Sequence, residues 1–216
     1  MAADPNLVGS LPNAIVRDLP EPLPQDKRAW RAWADSAQRA RSVAQRKQHT
    51  QVLVAEVTRF VTQRNAQLVG LYSPLGVEVE TRDLANALLV AGVQLAYPRV
   101  QPDGEAMDFV RADGPAALQP RPRSRMLEPA GPAIAPQTLD VLVIPVQAVR
   151  PEGQRLGRGG GYFDRYLPLL RADAATIGVC PAACVIAWTP LEPHDQKLQW
   201  VCTELGLAAL DGASHG

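Results

Sequence analysis

Cysteine and histidine are scarce in this chain, with three of each in 216 residues. Cys180, Cys184 and Cys202 are odd in number and lack a Cys-x-x-Cys spacing. That argues against a disulfide framework or a zinc site and for reduced, buried thiols. Neither sign of charge is in excess, 22 Lys+Arg standing against 22 Asp+Glu. A chain-wide basic surface is therefore lacking, and no nucleic-acid partner is expected. No apolar run approaches the ~20 residues that span a bilayer, so no membrane partner is expected either. The opening MAADPNLVGSLPNAIVRDLPEPLP has no basic start followed by an apolar core, unlike a signal peptide, and a cytoplasmic protein is expected. Two common nucleotide fingerprints are missing. There is no Gly-Lys-Ser/Thr of a Walker A loop, and Gly157 and Gly159 are followed by Tyr162 where a dinucleotide site wants glycine. Nor does a Gly-x-Ser-x-Gly accompany His194-Asp195, which excludes a hydrolase triad of that type.

What is present is a chain with 46% hydrophobic residues, enough for one sizeable core. Residues 1–24 are proline-rich and read as an extended arm, with a short docked strand around Ala14–Val16. Asp26 caps a helix predicted to run to about Lys47, with Trp30, Trp33, Ala37, Ala40 and Ala44 as its buried stripe. A second helix is predicted over His49–Arg64, with Val52, Val54, Val57, Phe60 and Val61 facing the core. A strand over Gln67–Tyr72 ends in the turn Ser73-Pro74-Leu75-Gly76. Thr81 caps a helix through Ala91 that Gly92 closes. Strands are predicted at Val93–Tyr97, Met107–Arg111, Val141–Ile144, Thr176–Cys180, Ala183–Trp188 and Leu198–Thr203. A proline-rich loop occupies 114–137, and residues 211–216 read as a frayed end. Strands alternating with helices predict an α/β fold with a mainly parallel sheet over one domain, 25–210.

The stretch from Leu139 to Leu167 carries the strongest chemical signal. A buried strand leads into Arg155 and Arg158 set among Gly157, Gly159, Gly160 and Gly161. Glycine lets the backbone approach a ligand and present its N–H groups. The arginines add planar cationic forks suited to phosphate or carboxylate, and a helix starting near Tyr162 aims its positive end at the same spot. Lys27 and Arg31 share a face at the start of the first helix, where two cations oppose the helix dipole and a bound anion would relieve them. In parallel sheets such a loop lies beyond the carboxyl ends of the strands, the usual ligand position.

Arg155-Leu156-Gly157-Arg158-Gly159-Gly160-Gly161-Tyr162-Phe163-Asp164 resembles the RLG-x-G-x-GY-[YF]-D signature of the 5-formyltetrahydrofolate cyclo-ligase family. Three further stretches agree in order. Lys27-Arg28-Ala29-Trp30-Arg31 is similar to the family's early K-x-x-L-R. Gly76-Val77-Glu78-Val79-Glu80-Thr81 is similar to its G-E-[LIV]-[DE]-T turn with one extra residue. Glu192-Pro193-His194-Asp195, followed by Thr203-Glu204, resembles its late E-P-H-D and T-E. The resemblance implies a three-layer α/β/α sandwich, Rossmann-like and of the NagB/RpiA-like kind. It also implies an ATP- and magnesium-dependent cyclisation of 5-formyltetrahydrofolate to 5,10-methenyltetrahydrofolate by a monomer or weak dimer. Residues 27–31 and 155–163 would then bind ATP, with Lys27 and Arg158 acting in catalysis. Tyr72, Glu78 and Arg158 through Tyr162 would meet the folate, Glu78 holding the pterin, and Asp164 and Asp195 would hold Mg2+. The departures from the family pattern, at Arg125 and at Val146 through Arg150, are expected near the folate. They keep open a repurposed or non-catalytic nucleotide- or folate-binding member.

Overall fold

Val141 and Val143 pack into one hydrophobic core, and Leu142 and Ile144 into another. Side chains alternate across a strand, so this one buried strand divides the molecule into two apolar layers with a sheet between them. In the computed structural model, which describes residues 9–10, 20–120, 126–188, 190–192 and 195–211, the elements run in chain order as follows. The first half holds β1 (Gly9–Ser10), α1 (Lys27–Arg39), α2 (Val43–Gln63), β2 (Leu68–Gly70), α3 (Arg82–Val90), β3 (Gln94–Val100), β4 (Met107–Arg111), β5 (Gln119–Pro120) and β6 (Leu127–Glu128). The second half holds β7 (Val141–Pro145), β8 (Ala148–Val149), β9 (Arg155–Leu156), α4 (Tyr162–Tyr166), β10 (Ala175–Val179), β11 (Trp200–Thr203) and β12 (Gly206–Ala209). Eight strands form the main sheet in the order β1-β12-β11-β10-β7-β2-β3-β4, and the pairs β5-β6 and β8-β9 are separate ribbons. Only β3-β4 and β11-β12 pair antiparallel within the main sheet. The α/β fold with a mainly parallel sheet is as expected.

Trp30 and Ala34 of α1 and Tyr166 of α4 bury against one face. Leu53, Val57 and Phe60 of α2 and Leu84 and Leu88 of α3 bury against the other. Each fully buried Leu contributes about 2 kcal/mol of transfer free energy. This division explains the main departure from the sequence reading, because a helix continuous to Lys47 could not serve both faces. The chain instead leaves helix at Ala40, and Ser42 starts α2 with a capping box: Gln45 N donates to Ser42 Oγ at 3.2 Å and Ser42 N to Gln45 Oε1 at 2.8 Å. Ala40 and Ala44 are accordingly exposed, and Ala34 and Gln38 take the buried positions. In α2, Leu53 and His49 are buried where Val52 was expected.

Other expectations shift locally. Thr81 precedes α3 without capping it and spends its hydroxyl on Tyr72 O at 2.9 Å. The strand expected at Ala183–Trp188 is a 3-10 turn over Ala182–Cys184 followed by a single bridge from Val185 to Val149. β12 returns antiparallel through Gly206, whose φ of 134° suits the missing Cβ. The strand expected at Ala14–Val16 lies outside the described residues. Among the described residues, no helix is long and apolar enough to cross a membrane.

β2 leads rightward to β3, whereas β7 leads leftward to β10 and β11. Loops leaving the adjacent carboxyl ends of β2 and β7 therefore diverge, and the crevice between them is the expected ligand position.

Candidate active site

A cavity of about 1150 Å3 opens at that crevice. Its floor comes from Tyr72 through Glu78 after β2 and from Pro145 at the end of β7. One wall is the glycine loop, another is the β3-β4 turn around Pro102 and Gly104, and Lys27 and Arg31 of α1 close a third side.

The loop after β2 is held by its own hydrogen bonds. Tyr72 is buried and donates its hydroxyl to Val79 O at 2.9 Å. Burial pushes the Tyr72 phenol well above its ordinary pKa, with Glu78 adding to the effect. Glu78 Oε2 accepts from Leu75 N at 2.7 Å, and its Oε1 accepts from Arg158 Nε at 2.6 Å.

The glycine loop leaves the β8-β9 ribbon, where Gln147 N donates to Leu156 O at 2.8 Å. Gly159 has φ 99° and presses on Arg31, so an added Cβ would sit 3.3 Å from the guanidinium carbon. That φ favours glycine, and an added Cβ would also press on the Arg31 guanidinium. Arg31 Nε donates to Gly157 O at 2.8 Å, which fixes the loop to α1. Tyr162 donates its hydroxyl to Gly104 O at 3.0 Å and spans the cavity to the β3-β4 turn. The helix expected to aim its dipole here is α4, only five residues long. A helix this short adds little dipole, so the positive character of this wall comes from the arginines and the loop's backbone N–H groups.

Each cation is already engaged. Arg155 is buried, donating to Asp164 Oδ1 at 2.8 Å and to Gln196 O at 3.0 Å. Burial draws its pKa down, and Asp164 partly offsets this. Lys27 Nζ lies 2.8 Å from Asp195 Oδ1 and 2.6 Å from Glu192 Oε2. Burial lowers the Lys27 pKa, but the hydrogen bonds to Asp195 and Glu192 outweigh it and the net direction is up. Arg158, the cation of the glycine loop, is bound to Glu78, the acid of the opposite loop.

Lys27, Arg31, Tyr72, Glu78, Arg155 through Asp164, and Asp195 all line the one cavity. Three residues of the early motif do not. Arg28 and Ala29 point to solvent, and Trp30 is core at 1% exposure, because the helical repeat turns only Lys27 and Arg31 inward. Val146 through Arg150 also do not line it. Val149 is buried in β8, and Arg150 is taken by Glu152 and Trp188 O. The departures there bear on packing rather than on a ligand, and Arg125, Pro193 and His194 lie outside the described residues. Lining residues without an assigned role in the sequence reading include Ser73, Gln101, Glu128 and Glu192. Glu128, on a two-residue strand at the end of a proline-rich loop, had no periodic pattern to announce it.

Among the described residues no group of three or more His, Cys, Asp or Glu side chains is placed to hold a metal. Asp164 and Asp195 do share the cavity, and Gln196 links them, since its backbone N lies 3.5 Å from Asp164 Oδ1. Two carboxylates are the donor set that magnesium takes when phosphates and water complete its shell, so the residues fit that ion.

Comparison with known proteins points to one family. A model of the 5-formyltetrahydrofolate cyclo-ligase family matches residues 24–204. The chain is 31% identical over 153 residues to 5-formyltetrahydrofolate cyclo-ligase of Mycolicibacterium smegmatis, covering 68% of this chain and 78% of the relative. It is 27% identical over 195 residues to the Mus musculus enzyme of that name, covering 82% and 93%. Among solved structures, the NMR structure of Aquifex aeolicus 5,10-methenyltetrahydrofolate synthetase is similar at TM-score 0.74 and 26% identity, covering 88% of this chain and 96% of that one. The corresponding synthetase of Mycoplasma pneumoniae shares the fold at TM-score 0.69 and 21% identity, over 83% and 99%.

Proposed function

The chain belongs to the 5-formyltetrahydrofolate cyclo-ligase family, and from that premise we propose that residues 25–210 form a catalytic unit converting 5-formyltetrahydrofolate to 5,10-methenyltetrahydrofolate with ATP hydrolysed to ADP and phosphate. The observation that carries the reading is the Arg158–Glu78 contact, 2.6 Å long, inside a cavity of about 1150 Å3. Pockets for one drug-sized ligand run to ~1,000 Å3, and this space stands at the top of that range. The contact joins the loop suited to phosphate with the loop suited to the pterin.

A formamide oxygen is a poor leaving group until it attacks the γ-phosphorus of ATP, the bond to the bridging oxygen breaking with its electron pair on the departing ADP. N10 then attacks the formyl carbon, the C–O bond breaks with its electron pair on the departing phosphate, and the N10 proton is lost. Phosphoryl transfer of this kind depends on positioning and charge stabilisation. Lys27, Arg31 and Arg158 hold the triphosphate, and the N–H groups of Gly157 through Gly161 wrap it. Arg155 acts from behind, fixing Asp164 and the Gln196 carbonyl. Tyr72 lies against the pterin and Glu78 accepts from its N–H groups. Asp164 and Asp195 would hold magnesium, which would supply neutralisation of phosphate charge.

The test follows methenyltetrahydrofolate formation by absorbance with purified protein, ATP and magnesium. ATP-dependent product is expected, and no product at high enzyme concentration sinks the proposal.

A further inference from the structure

Arg41 stands in the three-residue connector where the chain crosses from one sheet face to the other, and its guanidinium is committed inward. Its Nη2 donates to Val77 O at 3.1 Å, and its Nη1 donates to His49 Nδ1 at 3.1 Å. His49 is wholly buried, and burial pushes its pKa down to about 4, so the neutral ring accepts that hydrogen bond. Glu204 lies 3.8 Å from the same ring nitrogen and accepts from Ala182 N at 2.9 Å. Val77 is the residue before Glu78. The residue after it, Val79, is held through its carbonyl by Tyr72 at 2.9 Å. Glu78 therefore projects from a backbone segment clamped on both sides, by an arginine from one direction and a phenol from the other.

We propose that Arg41 is a positioning residue for Glu78, the carbonyl clamp that aims this carboxylate at the pterin of the folate. The inference rests on the reading of Glu78 given above. A charge-assisted hydrogen bond to a backbone carbonyl is directional and survives partial burial, whereas an unclamped turn flanked by Gly76 would sample several orientations. Because the clamp acts on the loop that carries Glu78 and reaches the phosphate loop only through the Glu78–Arg158 pair, its removal weakens the folate more than ATP.

A double-mutant cycle on the full chain tests this, with binding of 5-formyltetrahydrofolate and of ATP–magnesium measured separately by calorimetry. Arg41→Met is expected to weaken folate binding about tenfold, equivalent to ~1.4 kcal/mol, and to leave ATP affinity within about twofold. In a Glu78→Gln background, Arg41→Met is expected to add no further loss. Arg41→Lys, which keeps a cation but reaches only one of the two partners, is expected to fall between, and it serves if the methionine variant does not fold. Tyr72→Phe, which releases Val79, is expected to shift folate binding in the same direction. Equal losses from Arg41→Met in both backgrounds, or equal weakening of both substrates, overturn the inference. Unchanged folate affinity in Glu78→Gln overturns the pterin reading itself, and normal Glu78 dependence with no Arg41 effect overturns only the clamp.

Discussion

Ion pairs sit at both ends of the central strands, one at the amino ends and three at the carboxyl ends, and the two sets do opposite work. At the amino ends, Asp140 accepts from Gln67 N at 2.6 Å and Leu68 N at 2.7 Å while Arg171 binds its other oxygen at 2.6 Å. Both oxygens are filled by the protein, and the carboxylate stitches the start of β2 to the start of β7. At the carboxyl ends, Arg155–Asp164, Lys27–Asp195 and Arg158–Glu78 join residues from separate loops around a cavity. On the proposed function, Lys27 and Arg158 exchange those partners for a ligand's, while Arg155 keeps Asp164. The same ionic chemistry is structural where it saturates backbone donors and functional where it lines open space.

The contrast breaks most sharply at Arg158. Arg158→Ala is expected to lower kcat/KM by roughly a hundredfold to a thousandfold, as loss of one preorganised charge donor does. The melting temperature should hardly move, because this guanidinium is 41% exposed. A melting temperature that falls with activity would make the carboxyl-end pair structural after all. Asp140→Asn is expected to do the reverse, removing about 2 kcal/mol of stability in denaturant titration while kcat below the transition stays unchanged. Its pH dependence sharpens the point. Burial raises the Asp140 pKa, but the Leu68 N–H, Arg171 and the Gln67 N–H outweigh it and hold it below the ordinary carboxylate value. A depressed carboxylate contributes stability that is whole above about pH 4 and lost as pH falls through its folded value. The stability curves of wild type and Asp140→Asn should therefore converge toward acid. The smallest effect belongs to Lys27→Met, expected to weaken ATP–magnesium binding about tenfold in calorimetry, with Asp195 losing its partner but little stability lost.

Much of this was legible in the residues. The run Val141–Ile144 announced a strand buried on both faces, and the glycine–arginine loop announced a stretch that lines the cavity. Lys27 and Arg31 fell on one side of a helix by spacing alone. The break at Ala40 was written in Ser42-x-x-Gln45, but alanine-rich flanks with good helix propensity concealed it. With that break unseen, nothing set Arg41 apart from the other basic residues of the predicted helix, and its bond to Val77 O had no signal. The misplaced strand at Ala183–Trp188 has a similar cause. β-prone Val185, Ile186 and Trp188 are buried there as a turn filling the core beside α1, and burial rather than pairing selected them. Trp30 fell inside a motif read as nucleotide-binding, although its size and helical phase had already marked it as core.

The balance of charge around the cavity has a consequence for the kinetics of encounter. Among the described lining residues, Lys27, Arg31, Arg155 and Arg158 face Glu78, Asp103, Glu128, Asp164, Glu192 and Asp195. Formally the acids prevail, and the whole chain carries no net charge to compensate. An anion diffusing toward this mouth is not drawn in by a long-range field, unlike ligands steered into basic clefts. On the proposed function, discrimination between anions would then rest on how long each stays rather than on how often it arrives.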